Sequence, residues 1–209
     1  MSATVSACGD NVIGSDGPRP GIAADVDGSE ISLDDLASVV DGVCTLQAAS
    51  DTAATSRSFA QTFLLEDWVQ ALVMKEYADD HDLDVTPPPS GLEQAPGWDD
   101  IDESDRDALE SYVQAAVYAS AATKQLGDGD EVDPSDYDIS INPKFDLALD
   151  GTSWVPAGSQ LSVPVSKAGA DATAQPSDEE VRALPDDQLC GKRPAAPAPT
   201  DALPVPQQQ

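Results

Sequence analysis

His81, the chain's single histidine, stands among Asp79, Asp80 and Asp82, and three cysteines, Cys8, Cys44 and Cys190, are scattered along 209 residues. These are the side chains whose types could do chemistry. An imidazole among carboxylates at a helix end is favoured in its charged form by the helix dipole, which is a structural role. No serine or cysteine has a recognisable base partner, and neither a Walker loop nor a G-x-G-x-x-G run is present. One histidine and three cysteines exclude most zinc sites and every site built on several histidines. With 39 Asp and Glu, carboxylate pairs occur everywhere, so no pair points to general acid–base catalysis. Ala23 to Asp34 partly fits a calcium loop, with Asp25, Asp27, Gly28 and Asp34 at its third, fifth, sixth and twelfth positions. Ala23 replaces the first carboxylate and Glu30 sits where an apolar residue belongs, so charge that a hard cation needs is missing. A turn before a helix explains these residues better. The run from Asp128 to Asp138 also fails the spacing, because Val132 replaces the fifth-position ligand. The expectation is a protein without catalysis, cofactor, metal or small-molecule substrate.

Charge narrows the partners. Lys and Arg number only 10, and the formal net charge is −29. Such a surface repels phosphate, which excludes nucleic acid, and it repels anionic lipid headgroups. No apolar run approaches the roughly 18 residues of a membrane-spanning helix. The acids are spread along the chain rather than blocked, which favours solubility and salt tolerance over attraction of basic partners. Leu, Ile, Val and Phe together number 42 of 209 residues, close to the boundary where chains stop folding. A core must therefore come from a minority of segments.

The cysteines point to a compartment. Val5-Ser6-Ala7-Cys8 resembles a bacterial lipobox, an aliphatic residue and two small residues before the cysteine that is lipidated. The Gly/Pro-rich stretch that follows (Gly14, Gly17, Pro18, Pro20, Gly21) has the composition of a tether. The reading is a lipid anchor at Cys8, in a precursor whose true start lies upstream of Met1; an unmodified surface cysteine is the alternative. Cys44 and Cys190 then form an even pair in an extracytoplasmic protein, where disulfides persist. A bridge between them ties the end of the fold to its first helix; two separate thiols are the other possibility.

The elements that must position these residues follow from periodicity and caps. Ala23 to Val26 reads as a short strand ending at the turn dipeptide Asp27-Gly28. Ser32 is a good N-cap, with Asp35 at the capping-box position and Ile31 and Leu36 as a hydrophobic staple. Leu33, Leu36, Val40 and Val43 continue at helical spacing, weakened by Gly42. A second helix is expected from Ser56 to Asp82, apolar most of the way round and carrying most of the large side chains. Such a helix is either central to the fold or exposes an apolar face. Thr86 to Gly91 ends it, and a loop to residue 101 carries Trp98. A third helix is expected from Asp102 or Ser104 to Leu126, stopping at Gly127, with Leu109, Tyr112, Val113, Ala116 and Val117 as its apolar face. Ile139-Ser140-Ile141 alternates like a strand before Asn142-Pro143, and Leu161 to Val165 is an edge-strand candidate because of Pro164. Ser177 with Glu180 forms a capping box for a short helix. Residues 191–209 read as a disordered Pro/Ala-rich tail.

Three of these pieces carry a resemblance. Ala24 to Ser32 resembles the "V-x-G-x-x-I-S/T" opening of the SurA-type chaperone domain, and Lys75 to Thr86 resembles that family's "A-x-x-x-G-L-x-V-T/S" close, with His81 or Asp82 where glycine is usual. Ser135 to Phe145 resembles the "V-x-V-N-P-R-F/Y-G" stretch of actinobacterial SurA-like lipoproteins. The resemblance implies a mainly α fold, a SurA/trigger-factor-like helical chaperone module with a few short β-strands. It would span residues 22–190, behind a tether at residues 1–21 and ahead of the tail at 191–209. It implies an extracytoplasmic, lipid-anchored chaperone or foldase-like protein that binds unfolded or extended secreted polypeptides. A groove lined by Phe63, Trp68 and Leu72 would hold them. The parvulin domain that often accompanies such modules has no domain-sized block here, so isomerase activity is not expected. The alternatives are an interaction lipoprotein of the same fold without client binding, and an acidic cation-binding surface protein.

Overall fold

A computed structural model describes residues 19–50, 52–127, 132–150, 153–157 and 175–196. The described chain is mainly helical with a few short strands. Strand β1, Ile22–Val26, buries Ala23, Ala24 and Val26 and returns as β2, Ser29–Ser32, antiparallel to it. The turn between them needs positive φ at both central residues, and Asp27 (φ 48°) and Gly28 (φ 88°) supply it. Asp25 Oδ1 accepts a hydrogen bond from the Gly28 N–H at 3.0 Å, and Asp27 Oδ1 accepts one from the Asp138 N–H at 3.1 Å. Two carboxylates of the imperfect calcium frame thus hold a hairpin. Gly21 and Arg19, at the end of the segment read as tether, are bonded into the same hairpin: the Leu33 N–H donates to the Gly21 carbonyl at 2.8 Å, and Arg19 pairs with Glu30.

Helix α1, Leu33–Ala49, starts where its cap dictates. Ser32 Oγ accepts from the Asp35 N–H at 2.9 Å, and the staple residues Ile31 and Leu36 are both buried. Helix α2, Arg57–Asp80, begins at Ser56, whose Oγ accepts from the Phe59 N–H at 3.1 Å. It packs on α1, on β1 and on α3, Glu103–Thr123. Gly42 has a reason beyond propensity: a Cβ there would meet Leu109 Cδ2 of α3 at 2.9 Å, so the missing side chain lets the two helices approach. Helix α3 ends three residues before the expected Leu126. Beyond Thr123 the chain tightens into i→i−3 bonds, from Gln125 N–H to the Ala122 carbonyl and from Leu126 N–H to the Thr123 carbonyl.

Strand β4, Ile139–Ile141, closes the first sheet on the other side of β1, in the order β2-β1-β4. Asn142 locks it, because its N–H donates to the Ala23 carbonyl and its Nδ2 to the Ile22 carbonyl, each at 2.8 Å. Two further pairings were not read from the sequence. Strands β5, Leu147–Asp150, and β6, Ser153–Pro156, form a hairpin. Strand β3, Thr55–Ser56, pairs with β7, Leu189–Cys190, just beyond the capping-box helix α4, Asp178–Ala183. A disulfide joins Cys44 to Cys190 across a separation of 146 residues. Within the stretch read as the start of the tail, Arg193 pairs with Asp186 and donates to the Arg182 carbonyl at 2.6 Å. Cys8, the Leu161–Val165 candidate and residues 197–209 lie outside the described residues.

Candidate functional site

Helix α2 divides the large side chains that its sequence concentrates. Trp68 is 8% exposed and meets the Tyr112 ring edge-on at 5.6 Å between centroids. The Tyr112 hydroxyl donates to Asp67 Oδ2 at 2.7 Å. Burial, with that carboxylate beside it, raises the phenol far above its ordinary range and keeps it protonated. Leu72, one turn on, is partly buried against the same core. Phe63 points elsewhere: it is 54% exposed and stacks on Phe59 at 6.2 Å. Successive residues turn by about 100°, which puts Phe63 and Leu72 on opposite sides of the helix. The structure therefore does not bring Phe63, Trp68 and Leu72 together into one groove.

An apolar cleft of about 230 Å³ lies on another stretch of the same helix. Met74 and Gln70 of α2 reach the surface of one wall, and the buried Val69 (0% exposed) and Val73 (4%) lie at its floor. Leu149 and Trp154, paired across the β5–β6 hairpin, form the other. Val132 and Pro134 line it as well. None of these lining side chains is titratable, so the cleft offers apolar contact and shape rather than acid–base chemistry. Methionine and tryptophan adapt to varied apolar partners. Among the described residues the Trp154 indole N–H has no hydrogen-bond partner. A second groove, of about 390 Å³, runs between β4 and β5 and shares Pro134 and Leu149 with the cleft.

The surroundings are acidic. Asp133, Asp136, Asp138 and Asp150 are exposed on the segments that carry β4 and β5. The Asp133 carboxyl lies below its ordinary value because it accepts from the Ser135 N–H at 2.9 Å. Tyr137 is pushed up by burial and by Asp80 and Asp136. His81 caps the end of α2, its Nδ1 2.9 Å from the Tyr77 carbonyl and its ring stacked on Tyr77 at 4.0 Å. No group of three or more metal-ligating side chains converges among the described residues, and no described helix is long and apolar enough to cross a membrane.

Val69, Val73 and Met74 were visible only as members of an all-round apolar helix. The missing signal was the hairpin, announced by Leu147 and Leu149 alternating before the turn dipeptide Asp150-Gly151, with Trp154 and Val155 after it. Compared with protein-family models, with curated proteins and with solved structures, the chain matches none.

Proposed function

We propose that this protein is an extracytoplasmic chaperone-like protein that holds unfolded polypeptides by their apolar side chains. The observation that carries the reading is the cleft of Val69, Val73, Met74, Leu149 and Trp154, apolar in its lining and set in an acidic surface. Apolar clefts with a methionine and an aromatic wall suit sequence-tolerant binding. The SurA/trigger-factor-like module belongs to the same proposal. Two of the stretches that carry that resemblance, 24–32 and 135–145, meet in one sheet through β1 and β4, which supports it. So does the Cys44–Cys190 bridge, because disulfides persist in oxidising compartments. Lipidation of Cys8 and attachment to the outer face of the membrane complete the reading, which assigns no catalysis.

The test is suppression of aggregation of a reduced, unfolded secreted protein by the whole chain with its disulfide oxidised. Suppression near equimolar ratio is expected, and Met74→Glu should weaken it about ten-fold while the melting transition stays in place. A folded protein that suppresses nothing would leave an interaction lipoprotein of the same fold.

A further inference from the structure

We infer that the free edge of β4 receives an extended, cationic polypeptide segment by strand addition, with its apolar side chains directed to the adjoining cleft. This rests on the polypeptide-binding reading and adds the mode of binding and the chemistry of the segment.

Backbone geometry identifies the groups available. The Asp27 N–H donates to the Asp138 carbonyl at 3.0 Å, and the Asn142 N–H to the Ala23 carbonyl at 2.8 Å. Peptide groups in an antiparallel pair alternate in direction, so Asp138, Ser140 and Asn142 face β1. The N–H and C=O groups of Ile139 and Ile141 therefore point the other way, to the side of β4 where, among the described residues, the order β2-β1-β4 places no strand. The same logic applies to β5. The Ala157 N–H donates to the Asp146 carbonyl at 2.9 Å, which leaves the backbone groups of Leu147 and Leu149 pointing away from β6. Both strands line the groove, yet they are not paired with each other.

Proteins normally blunt such an edge with lysine, proline or a charge. Strand β2, the other edge of this sheet, carries the ion-paired Glu30. Ile139-Ser140-Ile141 carries neither charge nor proline, and its length of three residues is its one protection. An edge without charge or proline beside an apolar cleft has the two parts of strand addition: main-chain bonds for affinity and a pocket for alternate side chains. Charge selects the occupant. Residues 132–150 hold Asp133, Asp136, Asp138, Asp146 and Asp150 against Lys144 alone, and Lys144 Nζ sits 4.7 Å from the centre of the Phe145 ring. With a net charge of −29 on the whole chain, a segment that alternates cationic and apolar residues is steered here and an acidic one is repelled.

The test uses the whole oxidised chain and a peptide of about eight residues alternating lysine with valine, longer than an average strand. Amide exchange is followed by NMR. The Ile139 and Ile141 amides are expected to exchange quickly in the free protein and at least about ten-fold more slowly with peptide bound. The same peptide N-methylated at every residue, which blocks both of its edges, or with glutamate for lysine, should bind at least about ten-fold more weakly. Binding that leaves these two amides unprotected, equal binding of either control peptide, or protection already present in the free protein overturns the inference. The last result would mean that the edge is filled by the chain itself or by a second copy. Failure of the peptide with client suppression intact overturns strand addition alone; failure of both overturns the polypeptide-binding reading as well.

Discussion

At the Cys44–Cys190 corner, β7 pairs with β3, both cysteines are buried, and Arg193 folds back on α4. Gly191, at φ 89°, turns beside Gln47 where a Cβ would come within 3.2 Å of the Gln47 Cβ. At the β4–β5 groove the pattern reverses. Among the described residues, Ile139 and Ile141 have backbone groups that no strand pairs, Leu149 and Trp154 face a cleft, and Trp154 Nε1 and Asp146 Oδ1 have no hydrogen-bond partner. The comparison teaches where a chain with a thin core concentrates its order. One corner is closed by covalent and main-chain bonds, and another keeps the kind of surface that a second polypeptide can complete.

The largest expected effect lies at the closed corner. Replacing both cysteines, Cys44→Ser with Cys190→Ser, opens a loop of 146 residues and should destabilise by up to about 5 kcal/mol in urea unfolding. A loss under about 1 kcal/mol would leave that corner no better secured than an average side chain and erase the contrast. Next comes α2. Trp68→Ala should cost about 3–5 kcal/mol as a core deletion, whereas Phe63→Ser should stay within about 0.5 kcal/mol. Unchanged stability with lost client binding in Trp68→Ala would move Trp68 out of the core and onto a recognition surface. Smaller still is Tyr112→Phe, which removes a hydrogen bond to a carboxylate and should cost about 1.5 kcal/mol by the same measurement.

The smallest effect is electrostatic. Burial raises the Glu66 carboxyl above its ordinary value of 4.5. The folded state then holds this proton more tightly than the unfolded chain does. Stability falls as pH rises from 4.5 through the raised folded value, and is flat above it. Glu66→Gln should therefore raise Tm at neutral pH, and the gain should vanish on acidification well below 4.5. A Tm gain that persists in acid would assign it to packing rather than to the charge.

What was legible in the sequence was local. Ser32, Ser56 and Ser177 announce helix starts because the chemistry of a cap is contained in a few neighbouring residues. Ile139-Ser140-Ile141 announces a strand by alternation, yet its partner, β1, lies more than a hundred residues away, and nothing local names it. The same limit explains the candidate site. Concentration of apolar side chains on α2 was plain, but which of them stay accessible depends on what α3 and the β5–β6 hairpin cover. Tyr112 claims Trp68, and Leu149 and Trp154 line one cleft with Val69 and Val73. The two-residue strands β3 and β7 are too short for any periodicity, and the disulfide beside them was the only clue that the chain returns there.

The covalent ring closed by Cys44 and Cys190 also sets how the molecule responds to mechanical load. Tension applied at the N-terminal end of β1 can unravel the chain only as far as Cys44, a release of about 75 Å at full extension. Tension from the C-terminal end stops at Cys190. The stretch between, which includes α2, α3, the groove and the cleft, bears no load along its own backbone while the bridge is oxidised. A pulling or threading machine would meet a loop it cannot draw out as a single strand.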